Sequence, residues 1–343
     1  MDITALNDWF QREKRDFPWR REPSPYAVWV SEVMLQQTQA SVVIDYFERW
    51  MARFPSIEVL AKAPIEEVVK EWEGLGYYSR ARALHEGARM VVQNYGGKFP
   101  SSREELAKIK GLGPYSIGAL LSFAFHQKAA AVDGNVARVL SRHFLIEEDI
   151  CKSQVQKRLR TLTEELLPEK EPWTIMEALI ELGAQVCQKQ PKCFFCPLQT
   201  SCLGFRTQRA PLLPFKGKKQ LITPLSRSVA VIMHEDNVLI RQEKEGRVMG
   251  GLYEFPYFPK IDSLKKTLHD LFGEELSFEK HFPIVKHSFT RYRAELFPSL
   301  WKCARKDFKG DWSFVSLRDA KKLPFSSGHR RILQHLLKEL NHV

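Results

Sequence analysis

The chain has 343 residues, enough for two domains that each bury a hydrophobic core. Hydrophobic residues make up 44% of it and charged residues 27%, which excludes a disordered, collagen-like or coiled-coil protein. The net charge of +11 suggests a polyanionic partner, and the whole excess follows residue 200, because residues 1–200 contain 26 basic and 26 acidic residues. With neither a membrane-length apolar stretch nor a signal-peptide core, the sequence predicts a cytoplasmic protein without membrane contact.

The first part of the chain predicts an all-α domain over residues 1–204. Apolar residues recur there at spacings of three and four, and strand signals are scarce. Ser31 is predicted to cap a helix that runs to about Phe54, and Ser79 to open a helix that ends at Gly96.

A Gly-x-Gly turn, Gly111 to Gly113, stands between two of the predicted helices and is followed directly by Pro114. Consecutive backbone N–H groups and the N-terminus of the second helix can form a pocket for an anion such as a DNA phosphate. The alternative is a plain connection between two helices that ends at a glycine.

Two carboxylates stand in apolar surroundings. Glu32 is predicted to lie in the first turn of an apolar helix, and Asp133 to cap a helix that continues to Phe144. Glu32 could merely complement the helix dipole and Asp133 could be only a cap. A pair of carboxylates is also what glycosidic cleavage requires, one as a protonated acid and one ionised beside an oxocarbenium-like centre.

Four of the six cysteines crowd into one short loop, residues 187–202. Four thiolates at this spacing can surround a [4Fe–4S] cluster, whereas structural zinc sites usually have two separated Cys-x2-Cys knuckles. We therefore predict a [4Fe–4S] cluster, with zinc or an empty thiol cluster as alternatives. The predicted ligands are Cys187, Cys193, Cys196 and Cys202.

The second part of the chain changes character. Residues 205–224 are rich in proline and lysine and contain no acidic residue, which predicts an extended basic linker. Residues 225–343 predict an α+β domain. Its predicted elements are two strands around the turn 235–237, a helix over 263–272 and a final helix over 327–341.

Together these features resemble the helix-hairpin-helix DNA glycosylase superfamily and, within it, the adenine DNA glycosylases of the MutY type. The resemblance covers essentially the whole chain and implies a multidomain protein with a C-terminal Nudix-like domain. The segments that carry it are FPWR (17–20), SEVMLQQTQ (31–39), GLGYYSRAR (74–82), GLGPYS (111–116), VDGNV (132–136), ELGAQVC (181–187) and the four cysteines.

The resemblance implies removal of adenine mispaired with 8-oxoguanine or guanine in double-stranded DNA, after the adenine is flipped out of the stack. It makes Glu32 the acid that protonates adenine, with a pKa raised by apolar neighbours. It makes Asp133 the ionised group beside the sugar cation. Tyr115 and Asn135 match supporting residues at the reacting sugar and water.

Tyr115 also distinguishes two subclasses. In relatives that cleave the DNA strand, this position is a lysine whose amine forms a Schiff base with the abasic sugar. The tyrosine therefore implies a monofunctional enzyme, which we expect to act as a monomer.

Further residues match the family's contacts to the mispair. Gln37 with Thr38, and Leu75 with Tyr77, match residues that wedge into the duplex, although Tyr77 could instead be a core aromatic. Trp19 could likewise be core packing. The residues that match the adenine pocket are Trp19, Arg20, Leu35, Glu177 and Ile180.

The C-terminal domain resembles a Nudix domain that has lost its hydrolytic role, since Lys265 and Lys266 stand where magnesium-binding acids are needed. It would instead read 8-oxoguanine through Phe289, Thr290 and Arg291. The family usually has Phe-Ser-His there, so we expect weaker lesion discrimination. The first cysteine gap is five residues instead of the usual six, which puts the shape of that loop in question but not its ligands.

Two other functions remain open from the sequence. One is an endonuclease-III-like glycosylase and lyase, which would need a lysine at position 115. The other is a non-catalytic iron–sulfur DNA-binding protein, in which Glu32 and Asp133 have only structural roles.

Overall fold

The computed structural model describes residues 1–217, 221–244, 246–260, 264–272, 276–289, 291–304 and 311–340. The chain forms two compact units. The second unit also includes an early segment of the chain, which the predicted boundary at residue 204 assigns to the first domain. The first unit comprises Met1–Lys62 and Ala83–Lys219, and the second comprises Ala63–Arg82 and Gln220–Val343.

The helices confirm the predicted all-α character, since the described residues of the first unit contain no strand. The α-helices up to residue 206 are α1 (Ile3–Glu13), α2 (Pro18–Arg21), α3 (Pro25–Leu35), α4 (Ala40–Arg53), α5 (Ile57–Lys62), α6 (Ile65–Glu71), α7 (Ser79–Tyr95), α8 (Arg103–Leu106), α9 (Pro114–Ala119), α10 (Gly134–His143), α11 (Ser153–Leu166), α12 (Pro172–Gln185) and α13 (Leu203–Arg206). Of these, α6 and the first turn of α7 belong to the second unit.

The predicted helix start at Ser31 is wrong. Ser24 caps α3 by accepting a hydrogen bond from the Ala27 amide, and the Ser31 hydroxyl lies inside the helix, donating to the Val28 carbonyl at 3.0 Å. The helix ends at Leu35, and a new one begins at Ala40. Glu32 therefore lies in the last turn of α3, where the negative end of the helix dipole opposes its ionisation.

The Gly-x-Gly turn lies between α8 and α9, as predicted. Gly111 has φ +88°, a conformation that favours glycine, and a Cβ added there would come within 3.2 Å of Ala83 on α7. Gly113 caps α9 with extended backbone, and Pro114 occupies the first turn of that helix. The turn thus sets the start of the helix that carries Tyr115.

The second unit contains an eight-stranded sheet in the order β3-β2-β1-β7-β5, with β4 paired to β1, β6 to β7 and β8 to β2. This confirms the α+β prediction. The strands are β1 (Thr223–His234), β2 (Asn237–Gln242), β3 (Tyr253–Glu254), β4 (Tyr257–Pro259), β5 (Ser277–His281), β6 (Val285–Phe289), β7 (Tyr292–Lys302) and β8 (Ser313–Ser316), with helices α14 (Leu264–Phe272), α15 (Leu317–Ala320) and α16 (Ser327–Glu339).

The central strand β1 is buried on both faces, because its side chains alternate between two apolar clusters. Val229 and Val231 pack in the cluster that includes Ile332 of α16, and Ala230 packs in the cluster that includes Leu268 of α14. The strand pairs in parallel with β7 from Thr223 to Met233. The helices α14 and α16 therefore cover opposite faces of the sheet.

Residues 63–82 belong to the second unit through polar contacts that the sequence did not predict. The Glu73 carboxylate accepts hydrogen bonds from the Phe325 amide at 2.9 Å and from Arg330 Nε at 2.6 Å. Lys70 Nζ donates to the Lys321 carbonyl at 2.9 Å, and the Tyr78 hydroxyl to the Phe325 carbonyl at 3.1 Å.

The first part of the predicted linker packs on the first unit instead of extending freely. Ala210 and Leu213 are buried, and Arg142 Nε donates to the Leu213 carbonyl at 2.8 Å. Composition alone did not predict this, because prolines and lysines surround the apolar residues that are buried.

None of the described helices is both long and apolar enough to cross a membrane.

Candidate active site

A cavity of about 820 Å³ in the first unit brings both carboxylates together, although they are far apart in sequence. This volume lies within the range of small-molecule sites. The predicted residues that line it are Trp19, Arg20, Glu32, Leu35, Gln37, Thr38, Tyr115, Asp133, Asn135, Glu177 and Ile180.

Glu32 is buried, with 7% of its surface exposed, and its Oε2 accepts a hydrogen bond from the Tyr115 hydroxyl at 2.5 Å. Burial raises the pKa of Glu32 to about 7, and the negative charges of Asp133 and Glu177 add to the rise. The Tyr115 hydrogen bond and the Arg20 charge oppose it. Near neutral pH this carboxyl group can therefore hold or release a proton.

Asp133 is the N-cap of α10, as predicted. Its Oδ1 accepts from the amides of Asn135 and Val136 at 2.9 and 2.8 Å, and its Oδ2 accepts from Asn135 Nδ2 at 2.7 Å. Burial raises the pKa of Asp133, whereas these hydrogen bonds oppose the rise. The capping interaction thus favours an ionised group that faces the cavity, so the two interpretations of Asp133 are compatible.

Asn135 is itself held in place. Arg138 donates to Asn135 Oδ1 at 2.8 Å and to the carbonyls of Gly183 and Cys187 at 2.7 and 2.6 Å. A Cβ added at Gly183 would overlap Asn135, so only glycine fits there. This fixes the amide of Asn135 with its nitrogen toward Asp133.

Two arginines on the cavity wall share one buried acid. Glu181 Oε2 accepts from Arg20 Nη2 at 2.9 Å, and Glu181 Oε1 accepts from Arg15 Nε. Arg20 Nε also lies 3.7 Å from the Glu177 carboxylate. Neither Arg15 nor Glu181 was predicted as a site residue, although both stand in or next to the segments that carry the resemblance.

The apolar part of the wall contains Trp19, which is both a lining residue and a packing residue. Its ring stacks on Phe17 at 4.7 Å and meets Phe47 edge-on at 5.6 Å. Beside the cavity, Gln37 has φ +60° and an exposed side chain, and Thr38 donates its amide to the Leu35 carbonyl at 3.2 Å. The break between α3 and α4 thus presents polar side chains at the site.

The other predicted contacts to DNA do not line this cavity. Gly111 and Gly113 are exposed at the helical hairpin, whereas Leu75 and Tyr77 belong to the second unit. Tyr77 is 42% exposed with φ +48°, which contradicts its interpretation as a core aromatic. Leu75 is buried.

The predicted lesion-reading residues also belong to the second unit. Phe289 stacks on His287 at 5.2 Å, and Arg291 donates to the Tyr292 hydroxyl at 3.1 Å. Thr290 lies outside the described residues.

The four cysteines line one smaller cavity of about 30 Å³, together with Arg142 and Phe205. Arg142 Nη1 lies within hydrogen-bond distance of Cys187 Sγ, at 3.3 Å. Burial raises the pKa of the Cys196 thiol to about 12, so a thiolate there needs nearby positive charge. Among the described side chains, no group of three or more His, Cys, Asp or Glu is arranged to hold a single metal ion. In a [4Fe–4S] cluster, by contrast, each of the four thiolates binds a different iron.

Two family models match the chain. Residues 30–165 match the HhH-GPD superfamily base excision DNA repair protein, and residues 228–335 match a NUDIX domain. The adenine DNA glycosylase of Buchnera aphidicola subsp. Baizongia pistaciae is 34% identical over 257 residues, covering 74% of this chain and 73% of that protein. The chain belongs to the adenine DNA glycosylase family.

Mammalian members of the family are longer. The adenine DNA glycosylase of Mus musculus is 45% identical over 235 residues, which cover 64% of this chain and 46% of that protein. The chain spans less than half the length of the mouse, rat and human relatives. The structure of a thermostable thymine-DNA glycosylase, 29% identical, has a TM-score of 0.54 and covers 60% of this chain and 95% of that one. This likeness agrees with the predicted glycosylase fold.

Proposed function

We propose that the protein is a monofunctional adenine DNA glycosylase. It flips adenine opposite 8-oxoguanine or guanine out of duplex DNA and hydrolyses its N-glycosidic bond. The observation that carries this proposal is the pairing of Glu32, which can be protonated near neutral pH, with Asp133, whose hydrogen bonds favour the ionised form, in one cavity. The test is release of free adenine from an 8-oxoguanine:adenine duplex under single-turnover conditions.

The chemistry divides between the two acids. Protonated Glu32 donates its proton to N7 of adenine, so the C1′–N9 bond breaks and its electron pair leaves with the neutral base. The ionised Asp133 faces the sugar cation and lowers its energy. Water then adds to C1′, and the Glu32 carboxylate accepts the proton that the water loses. Tyr115 holds the Glu32 side chain in place through its short hydrogen bond.

The absence of an amine at position 115 gives a direct prediction. Borohydride added during turnover should trap no covalent adduct with DNA, because Tyr115 cannot form a Schiff base. The measurement is denaturing electrophoresis of labelled duplex, with a glycosylase that has a catalytic lysine as positive control. Efficient trapping would favour the alternative, an endonuclease-III-like lyase.

We propose that Cys187, Cys193, Cys196 and Cys202 hold a [4Fe–4S] cluster. The residues fit the group because all four thiols line one cavity and come from one loop, and because Arg142 places positive charge beside Cys187. When bound, the cluster supplies a covalent crosslink within this loop.

Metal analysis tests the cluster proposal. The purified protein should contain about four irons per chain and absorb broadly in the visible range. Replacing Cys202 with serine is expected to lower the iron content, whereas replacing the exposed Cys151 with serine should leave it unchanged. One zinc ion per chain in a colourless sample would contradict the proposal.

The remaining DNA contacts are proposals of the same kind. The amides of Gly111 and Gly113 are suited to a DNA phosphate at the start of α9. Gln37, Thr38 and the exposed Tyr77 are suited to contacts with the disrupted base pair.

Discrimination of the lesion depends on Phe289, Thr290 and Arg291 in this proposal. Arg291 carries a fixed charge where the family usually has histidine, so it should bind DNA without selecting the lesion. Arg291→His is expected to raise the ratio of excision rates on 8-oxoguanine:adenine over guanine:adenine duplexes by several-fold. Arg293→His, two residues away on β7, is the matched control. An unchanged ratio in Arg291→His would contradict this assignment.

A further inference from the structure

We infer that Glu181 is a positioning residue that anchors Arg15 and Arg20 on the cavity wall and balances their charge beside the acid Glu32. This inference rests on the proposed function of the cavity. Glu181 also lines the cavity, and each of its carboxylate oxygens accepts a hydrogen bond from one of the two arginines.

The burial of Glu181 is the first observation. Its side chain, on α12, is only 1% exposed, yet it carries a carboxylate. An ionised group that has lost its water must be compensated by charge and hydrogen bonds. Glu181 accepts from Arg15 Nε, from Arg20 Nη2 at 2.9 Å and from Gln185 Nε2 at 2.7 Å. Both of its oxygens are therefore occupied by donors.

The position of the arginines is the second observation. Arg15 follows α1 and Arg20 lies in α2, and both line the cavity that Glu32 and Asp133 share. Glu181 thus ties two separate N-terminal segments to α12 at this wall, beside the hydrogen bond from Gln185 Nε2 to the Glu13 carbonyl at 2.9 Å. Without it, Arg20 would lose its closest carboxylate and keep the longer approach to Glu177, at 3.7 Å, and the hydrogen bond to the Arg15 carbonyl, at 3.0 Å.

The charges around Glu32 give the functional consequence. Glu32 is faced by Tyr115 of α9, Asp133 at the start of α10, Arg20 of α2 and Glu177 of α12. The Arg20 charge already favours the ionised form of Glu32.

Glu181 faces Arg15, Arg20, Gln185 and Glu177. Its negative charge offsets the positive charge of the two arginines. If that charge is lost, the arginines stabilise ionised Glu32 more strongly, and less of the protonated acid is available near neutral pH.

The test is the pH dependence of adenine release by the full chain. In the unaltered protein the single-turnover rate should fall as pH rises through the pKa of Glu32, about 7. Glu181→Gln keeps the shape of the side chain and removes its charge. We therefore expect the pH at which the rate falls to be lower by about half a unit or more. The loss of rate should therefore be small at pH 5.5 and severalfold at pH 8.

Matched variants separate this role from a structural one. A purely structural role for Glu181 would lower the rate by the same fraction at every pH. Glu181→Asp keeps the charge, so the rate should fall at the same pH as in the unaltered protein even if the rate itself is lower. Glu164→Gln removes a half-exposed acid that pairs with Arg103 away from the cavity and should shift nothing.

A second variant keeps the inference testable if Glu181→Gln fails to fold. Arg15 is more exposed than Glu181, and Arg15→Gln removes one cation while leaving the acid. We expect the rate of this variant to fall at a higher pH than in the unaltered protein, a shift opposite to that of Glu181→Gln. If the rate falls at the same pH in both variants as in the unaltered protein, the inference is overturned. Where Glu181→Gln cannot be purified, the same result in Arg15→Gln alone overturns it.

Failure of the proposed function is a separate outcome. If the unaltered chain releases no adenine from any mispair, the proposed activity is wrong. The protonation of Glu32 can still be followed by infrared difference spectroscopy of its carboxyl stretch, assigned with Glu32→Gln. The same downward shift in Glu181→Gln is expected there, and its absence overturns the inference whatever the activity.

Discussion

Glu32→Gln should release adenine at least roughly a thousandfold more slowly than the unaltered protein, because an amide cannot donate the proton that the leaving base needs. The amide oxygen can still accept from the Tyr115 hydroxyl, so the geometry of the site should persist. The measurement is the single-turnover rate on an 8-oxoguanine:adenine duplex. Equilibrium binding to the same duplex should change by less than tenfold. Full activity in this variant would support the non-catalytic alternative, in which the carboxylates have only structural roles.

Thermal unfolding provides the control for this variant, and its direction follows from the pKa. Burial holds the pKa of Glu32 at about 7 in the folded chain, above the usual 4.5. The folded state therefore loses stability as pH rises between these values, by roughly 3 kcal/mol in total. Glu32→Gln should be more stable than the unaltered protein at pH 8 and lose this advantage at pH 4.5. A variant that is merely misfolded would be less stable at both pH values.

Asp133→Asn is expected to slow adenine release by roughly a hundredfold or more, since the neutral amide cannot stabilise the positive charge that develops on the sugar. Its oxygen can still accept from the amides of Asn135 and Val136, but the bond to Asn135 Nδ2 is lost. The cost in stability should therefore be only about 1 kcal/mol. The measurements are the single-turnover rate and the free energy of unfolding.

Asp2→Asn is the matched control for Asp133→Asn. Asp2 caps α1 and accepts from the Ala5 amide at 2.9 Å, away from the cavity. The variant Asp2→Asn makes the same chemical change at a helix N-cap and should leave the rate of adenine release unchanged. If both variants lose activity to the same extent, the effect of Asp133 is structural and the proposed mechanism is wrong.

Local patterns predicted much of the fold. Helical periodicity gave α7 with both ends, and the turn at Glu235 and Asp236 gave the hairpin of β1 and β2. The break between α3 and α4 escaped prediction because Gln37 adopts φ +60° without being a glycine or asparagine. A residue of ordinary type in an unusual conformation leaves no mark in a single sequence.

The candidate site could be predicted in part, and the missing part has a physical reason. The resemblance identified Glu32 and Asp133, although they come together only through the packing of α3, α9 and α10. Glu181 and Arg15 were missed because charged residues normally indicate solvent exposure in a helical pattern. Whether such a residue is buried and paired depends on contacts between segments far apart in sequence, which periodicity does not contain.

The second unit takes residues from two distant parts of the sequence, and this has a consequence for dissecting the protein. Leu75 and Tyr77 share a compact unit with Phe289 and Arg291, so the parts proposed to wedge into DNA and to read the lesion should unfold together. A fragment that ends before β1 would leave Glu73 and Tyr78 without the partners that Phe325 and Arg330 provide. Cutting the chain there would divide the second unit, so point substitutions are the better means of separating lesion recognition from base removal.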